Sequence, residues 1–244
     1  MQKVVSKWYS PRLQRDVTIV RWGHFGQPLL LYPTAGGDAE EIERFHLVRA
    51  LAPHIDAGKI KVYSPDSVAG RTWIDRKTTG AYRAWVQNQY DSYVYNEVVP
   101  AIRQDTRNPN VEVVTAGASI GAYNAFASIC RHPDVFSLAI CMSGTYDLSG
   151  WMDGEHTLDF HYSSPMHFLP FLGESPQLEQ LRKRLVVLGC GLGRWESPEH
   201  TWDVANLLGK LGIPNYVDIW GPGWDHDWPS WRKKLPEYVE KLIK

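Results

Sequence analysis

The chain has 244 residues, of which 43% are hydrophobic and 22% charged, and its net charge is −1. This length suffices for one α/β domain with a sizeable core. The near-zero charge, with no polybasic block, argues against nucleic acid or an anionic membrane as a partner. No apolar run approaches the ~20 residues of a membrane span, and the first residues lack the apolar segment of a secretion signal. Three unclustered cysteines in apolar surroundings predict reduced core thiols and a cytoplasmic protein.

Strand and helix patterns alternate along most of the chain. The predicted elements, in chain order, are strands at 3–8, 15–22 and 29–32, a helix at 39–55, a strand at 59–64, a helix at 80–104, a strand at 111–116, a helix at 120–131, strands at 135–143 and 185–188, a helix at 198–211, a strand at 215–220 and a helix at 229–243. The alternation from residue 29 onward predicts a mainly parallel sheet with helices on both faces, preceded by an antiparallel strand pair.

One segment departs from this alternation. Residues 144–180 are rich in aromatic side chains and interrupted by prolines, which predicts an irregular insertion. Such a segment could form a pocket wall, a lid or a dimer contact, so a homo-oligomer is compatible with the sequence. We see no domain boundary, and we expect residues 1–244 to form a single domain.

The stretch 111–123 carries the first chemical signal. A β-branched run leads into Gly117-Ala118-Ser119-Ile120-Gly121, and a helix-forming segment of small residues follows. This G-x-S-x-G pattern is typical of a sharp strand–turn–helix that lifts the serine Oγ clear of the sheet. Only small residues fit on either side, because the strand and the helix nearly touch there. We therefore predict that Ser119 is a nucleophile.

A serine nucleophile needs a histidine base and an acid that orients the histidine. In proteins with this sharp strand–turn–helix, called a nucleophile elbow, the acid and then the histidine follow the serine along the chain. His226 lies in a loop after the last predicted strand, at the sheet edge where ligands bind α/β proteins, and is the predicted base. His200 also follows the serine but lies near the start of a helix.

The acid is expected in the loop after the strand 185–188, where Glu196 lies. Four other carboxylates are weaker candidates, because they lie after the preceding strand, inside a helix, or next to the histidine itself: Asp147, Asp203, Asp225 and Asp227.

The oxyanion of an acyl-transfer intermediate needs two N–H donors. We predict the backbone N–H of Ile120, which opens a helix, and that of Ala35 in the small-residue loop after the strand 29–32, with Gly36 as the alternative second donor.

Several of these pieces together resemble the esterase family of α/β-hydrolases, which includes esterase D-like enzymes and the antigen 85 mycolyltransferases. The matching pieces are Gly117–Tyr123, Arg131-His132-Pro133, Met142–Leu148, Gly193–Glu196 and His226–Arg232. The resemblance covers roughly residues 15–243 and implies the α/β-hydrolase fold. It implies a triad of Ser119, Glu196 and His226, with oxyanion donors at Ala35 and Ile120. Family members use Asp as often as Glu for the acid.

These residues predict a serine hydrolase that cleaves a small-molecule carboxylic ester through an acyl-enzyme. The same residues would serve a thioesterase or an acyltransferase, and a non-catalytic binding or assembly module on this fold is the alternative of another class. No cofactor is needed for this chemistry. The sequence has no metal-ligand spacing of the H-E-x-x-H kind, and its glycine cluster at 189–193 has the wrong spacing for a dinucleotide site.

Overall fold

The computed structural model describes residues 1–244. One eight-stranded sheet runs through the molecule. Its strands are β1 (Lys3–Ser10), β2 (Arg15–Trp22), β3 (Gln27–Tyr32), β4 (Ile60–Pro65), β5 (Val113–Ala118), β6 (Phe136–Met142), β7 (Leu185–Cys190) and β8 (Asn215–Ile219). Their order is β1-β2-β4-β3-β5-β6-β7-β8. β2 pairs antiparallel with both β1 and β4, and all other neighbours are parallel, which confirms the predicted mainly parallel sheet and its N-terminal antiparallel pair.

Helices cover both faces of this sheet. They are α1 (Glu41–Arg44), α2 (Leu47–Asp56), α3 (Val68–Ile74), α4 (Gly80–Tyr93), α5 (Val99–Thr106), α6 (Ile120–Arg131), α7 (Leu158–Ser163), α8 (Pro165–Phe168), α9 (Pro176–Leu181), α10 (Pro198–Lys210) and α11 (Trp228–Leu242). α4, α5, α6 and α10 bury apolar side chains in the core on one face, and α2 and α11 do so on the other. No helix is both long and apolar enough to cross a membrane.

The predicted single helix at 39–55 is wrong, because the chain breaks it into α1 and α2. His46 adopts a left-handed conformation with φ 64° between the two helices. The break turns Phe45 outward, where its ring stacks on Trp228 at 4.7 Å and its carbonyl accepts a hydrogen bond from Arg232. These partners lie more than 180 residues away along the chain, so the periodicity of the segment contains no sign of them.

Two further predictions need correction on the face that carries α4. The loop predicted between the strand at 59–64 and the helix at 80–104 contains α3. Within α3, a Cβ on Gly70 would lie only 3.0 Å from the Ala35 backbone, so the helix packs closely on the loop after β3. The helix predicted at 80–104 is interrupted by a π-helical turn at Val94–Val98, where it changes from α4 to α5.

The insertion at 144–180, predicted to be irregular, contains short helices joined by loops. It contains α7, α8, α9 and two short 3₁₀ turns. Its prolines do not break these helices, since Pro165 and Pro176 occupy first-turn positions where the missing N–H has no partner to lose. The hydroxyls of Thr157 and Ser175 cap α7 and α9 by accepting backbone N–H groups. Pro165 and Pro176, which we interpreted as interruptions, therefore lie at the starts of helices.

Candidate active site at the carboxyl edge of the sheet

The predicted nucleophile lies at the junction of β5 and α6. Ser119 has φ 57° and ψ −125°, a conformation that non-glycine residues rarely adopt, and its side chain is half-buried. Its N–H donates to the Met142 carbonyl at 3.0 Å, which ties the turn to the end of β6. Its hydroxyl has no hydrogen-bond partner within the chain. Gly121 permits the turn, because a Cβ there would lie 2.7 Å from the Tyr32 carbonyl oxygen of β3.

The predicted acid and base face each other. The Glu196 side chain is 1% exposed, and its Oε2 lies 3.8 Å from His226 Nδ1. This distance is longer than a hydrogen bond but within ion-pair range. The backbone N–H of His226 donates to the Arg194 carbonyl, so the loop with the acid and the loop with the histidine are joined directly. The structure thus brings Glu196 and His226 together from two separate loops.

The Glu196 carboxylate is buried but well supplied with donors. Its Oε1 accepts the Ser143 hydroxyl at 2.6 Å, and its Oε2 accepts the Cys190 thiol at 3.2 Å. Burial by itself raises the pKa of Glu196, but the interactions with His226, Ser143 and Cys190 outweigh it and leave the pKa below its ordinary value. The carboxylate is therefore ionised at neutral pH and can orient and stabilise an imidazolium.

The predicted oxyanion donors lie on the loop after β3 and at the start of α6. The N–H groups of Ile120 and Ala35 have no backbone acceptor, and the same is true of Gly36. Ala35 packs against the apolar cluster that contains Ile120, so the two predicted donors belong to one neighbourhood. An N–H pair free of internal partners can donate to a developing oxyanion.

A buried glutamate fixes the loop after β3, which carries the predicted oxyanion donor Ala35. The Glu41 carboxylate accepts the Thr34 backbone N–H and the Thr34 hydroxyl, both at 2.7 Å. Thr34 is thereby held directly before Ala35, whose N–H stays free. Burial raises the pKa of Glu41, and the Thr34 donors offset this only in part. The sequence interpretation missed Glu41, since a glutamate at a helix start is usually explained by the helix dipole.

The other carboxylates that the sequence offered have different partners. Asp225 accepts three hydrogen bonds from Arg194, and Asp227 caps the start of α11. Asp147 accepts the Ser149 N–H and lines a cavity of about 560 Å³ together with Asp203 and His200. None of these carboxylates lies within 4 Å of a His226 ring nitrogen, whereas Glu196 does. No three His, Cys, Asp or Glu side chains are grouped as metal ligands.

Aromatic side chains surround this edge of the sheet. Trp231 packs edge-to-face on His226 with ring centroids 5.3 Å apart, and Trp195, beside the acid, is 77% exposed. A second cavity, of about 390 Å³, lies beyond the loop after β3 and is lined by Trp73, Ile74 and Trp151, among others. Ile74 connects it to the loop, since its Cδ1 is 4.0 Å from where a Gly36 Cβ would lie. This cavity offers space for part of a substrate beside the predicted donors.

The sheet order, the serine elbow and the acid–histidine pair at the carboxyl edge define an α/β-hydrolase fold. Residues 61–242 match the model of the family described as "Putative esterase". The chain belongs to this family, and the protein is a serine esterase. The family match therefore decides against the non-catalytic module considered from the sequence.

Solved structures of the same fold cover the whole chain. A ferulic acid esterase superposes with a TM-score of 0.75 at 16% identity, over 99% of this chain and 98% of that one. The S-formylglutathione hydrolase FrmB from Staphylococcus aureus also has a TM-score of 0.75 at 16% identity, over 100% and 99%. MPT51 from Mycobacterium tuberculosis has a TM-score of 0.72 at 16% identity, over 100% and 98%. No curated protein sequence matches the chain.

Proposed function

We propose that the protein hydrolyses a small-molecule carboxylic ester through an acyl-enzyme on Ser119, with His226 as the base and Glu196 as the acid of the triad. The observation that carries this proposal is the buried, ionised Glu196 facing His226 Nδ1 at the same sheet edge as the serine elbow. With Nδ1 directed to the acid, Nε2 is the histidine nitrogen left to take the serine proton. The backbone N–H groups of Ile120 and Ala35 are the proposed oxyanion donors.

The proposed reaction has two halves. Ser119 Oγ attacks the acyl carbon while His226 takes the hydroxyl proton, and the carbonyl oxygen becomes an oxyanion held by the two N–H donors. The intermediate collapses, the ester C–O bond breaks, and His226 returns the proton to the leaving alcohol. Water then attacks the acyl-enzyme by the same route, which releases the acid and restores Ser119.

A fluorophosphonate probe and a short p-nitrophenyl ester test this proposal together. We expect the probe to label the wild-type protein at one serine, and Ser119→Ala to lose both the label and the hydrolysis. Asp147→Asn is the matched control, because Asp147 is a carboxylate near the same edge without contact to His226. Labelling at another serine, or hydrolysis at the wild-type rate by Ser119→Ala, would disprove the assignment.

The same residues also fit a thioesterase or an acyltransferase. The names of two solved relatives, a ferulic acid esterase and an S-formylglutathione hydrolase, make an oxygen ester and a thioester the first substrates to compare. Adding a primary alcohol to the assay measures how the acyl-enzyme partitions. We expect free acid to remain the main product, whereas a new ester as the main product would indicate an acyltransferase.

A further inference from the structure

We propose that Ser143 and Trp231 are positioning residues for the acid of the triad: Trp231 fixes the Ser143 hydroxyl, which holds Glu196 in line with His226. This inference rests on the proposed triad. The two oxygens of the Glu196 carboxylate have different partners. Oε1 accepts a hydrogen bond from the Ser143 hydroxyl, whereas Oε2 faces His226 and Cys190. With Ser143 removed, Oε1 would lose its only donor, and the carboxylate could rotate away from the imidazole.

The direction of each hydrogen bond follows from the chemistry of the groups. The indole Nε1–H of Trp231 can only donate, and it lies 3.0 Å from Ser143 Oγ. Ser143 must therefore accept from Trp231, and its single hydroxyl proton is left for Glu196 at 2.6 Å. An ionised carboxylate can only accept. The two hydrogen bonds that link Trp231, Ser143 and Glu196 thus have only one possible direction, and both protons point toward the acid.

The backbone of Ser143 indicates that this position is specialised. Ser143 is 3% exposed and has φ 47°, in the left-handed region that non-glycine residues rarely occupy. Its N–H donates to the Gly189 carbonyl at 2.7 Å, which holds the turn at the end of β6 against β7. Strained residues of this kind persist where the surrounding structure holds them and concentrate at functional sites. Ser143 directly follows Met142, whose carbonyl accepts the Ser119 N–H, so the turn also contacts the elbow.

Trp231 connects the acid and the base through one side chain. Its ring packs on His226 at 80° with centroids 5.3 Å apart, while its N–H bonds Ser143. Trp231 is itself buried on α11. A single indole therefore restricts the imidazole by packing and the carboxylate through one intervening hydroxyl. Outer-shell hydrogen bonds of this kind around metal-binding histidines typically change affinity or activity 10–100-fold when they are removed.

Ser143→Ala and Trp231→Phe test this role. We expect Ser143→Ala to lower kcat about 10–100-fold with KM changed less than about 3-fold, because Ser143 is buried and bonds the acid. Trp231→Phe keeps a buried ring against His226 but removes the donor, so we expect a smaller loss in kcat, about 3–10-fold. If Ser143→Ala does not fold, Trp231→Phe alone decides the question, and a melting curve accompanies each variant.

The pH profile separates positioning from a purely structural effect. A carboxylate that rotates away from the imidazole stabilises the imidazolium less, so the acidic limb of kcat/KM moves to lower pH. The other titratable groups around the acid are Cys190 and Tyr146. Burial raises the pKa of Cys190 to about 12 and that of Tyr146 well above its ordinary value, so neither titrates in this range. We expect the shift in both variants.

Trp228→Phe is the matched control. Its ring lies 5.2 Å from that of Trp231, and its indole N–H makes no hydrogen bond. We expect kcat within about 2-fold of wild type and an unmoved acidic limb. The inference is overturned if Ser119→Ala is inactive while Ser143→Ala and Trp231→Phe match Trp228→Phe in both readouts. Full activity in Ser119→Ala would instead overturn the proposed triad.

Discussion

Substituting Gly121 by alanine tests how closely the helix after the nucleophile must approach the sheet. In an isolated helix this change would stabilise by about 1 kcal/mol, since glycine is a poor helix former. In this fold the new Cβ would lie 2.7 Å from the Tyr32 carbonyl oxygen of β3 and 2.8 Å from the Pro33 carbonyl oxygen in the loop after β3. Reaching an ordinary separation of about 3.4 Å requires α6 to retreat from β3 by roughly 0.7 Å.

Overpacking of this kind costs about 3 kcal/mol against well-packed backbone, so the net destabilisation should be about 2 kcal/mol. Urea denaturation measures it, and the melting temperature should fall by roughly 4–8 °C. The retreat also moves the Ile120 N–H away from Ala35, so kcat/KM should fall more than stability alone explains. Gly209→Ala in α10 is the control, because a Cβ there meets nothing within 4 Å and should stabilise by about 0.5 kcal/mol. Equal stability of the two variants would refute the packing argument.

The remaining predictions concern carboxylates. Glu196→Gln should lower kcat by about 10³–10⁴-fold in an ester assay while Asp147→Asn changes it less than about 3-fold; the reverse order would move the acid to Asp147. Burial raises the pKa of Glu41 above its ordinary value of 4.5, so the folded protein favours the protonated side chain. The stability that protonated Glu41 contributes is fully present below pH 4.5 and is lost as the pH rises through the raised pKa. Glu41→Gln should therefore gain in unfolding free energy relative to wild type between about pH 4 and about pH 7, and an unchanged difference in urea titrations would contradict this. Asp227→Ala removes the cap of α11 and should cost about 1 kcal/mol in the same titration; no loss would mean that the cap is dispensable.

Local signals in the sequence were sufficient for the sheet and the elbow. The helix predicted at 120–131 matches α6, and the predicted strands lie within three residues of the observed ones. The elbow could be read because its requirements are local: a strand, small residues on both sides of a serine and a helix within about twenty positions. The positions of Glu196 and His226 could be inferred because parallel strands place their following loops at one edge. Their roles, with those of Ser119, Ala35 and Ile120, stay predictions for the assays above.

The sequence by itself determined the class of fold, the serine turn and the loops from which an acid and a base would come. Only the tertiary structure decided which side chains meet in those loops. Ser143 and Trp231 are 88 residues apart and lie on opposite sides of the acid loop in the chain, so no periodicity or spacing links them. The same holds for the break at His46, beside which Phe45 stacks on Trp228 from the other end of the chain. Periodicity reports how a residue faces its own helix or strand, whereas the partners of a buried polar group depend on how distant segments pack.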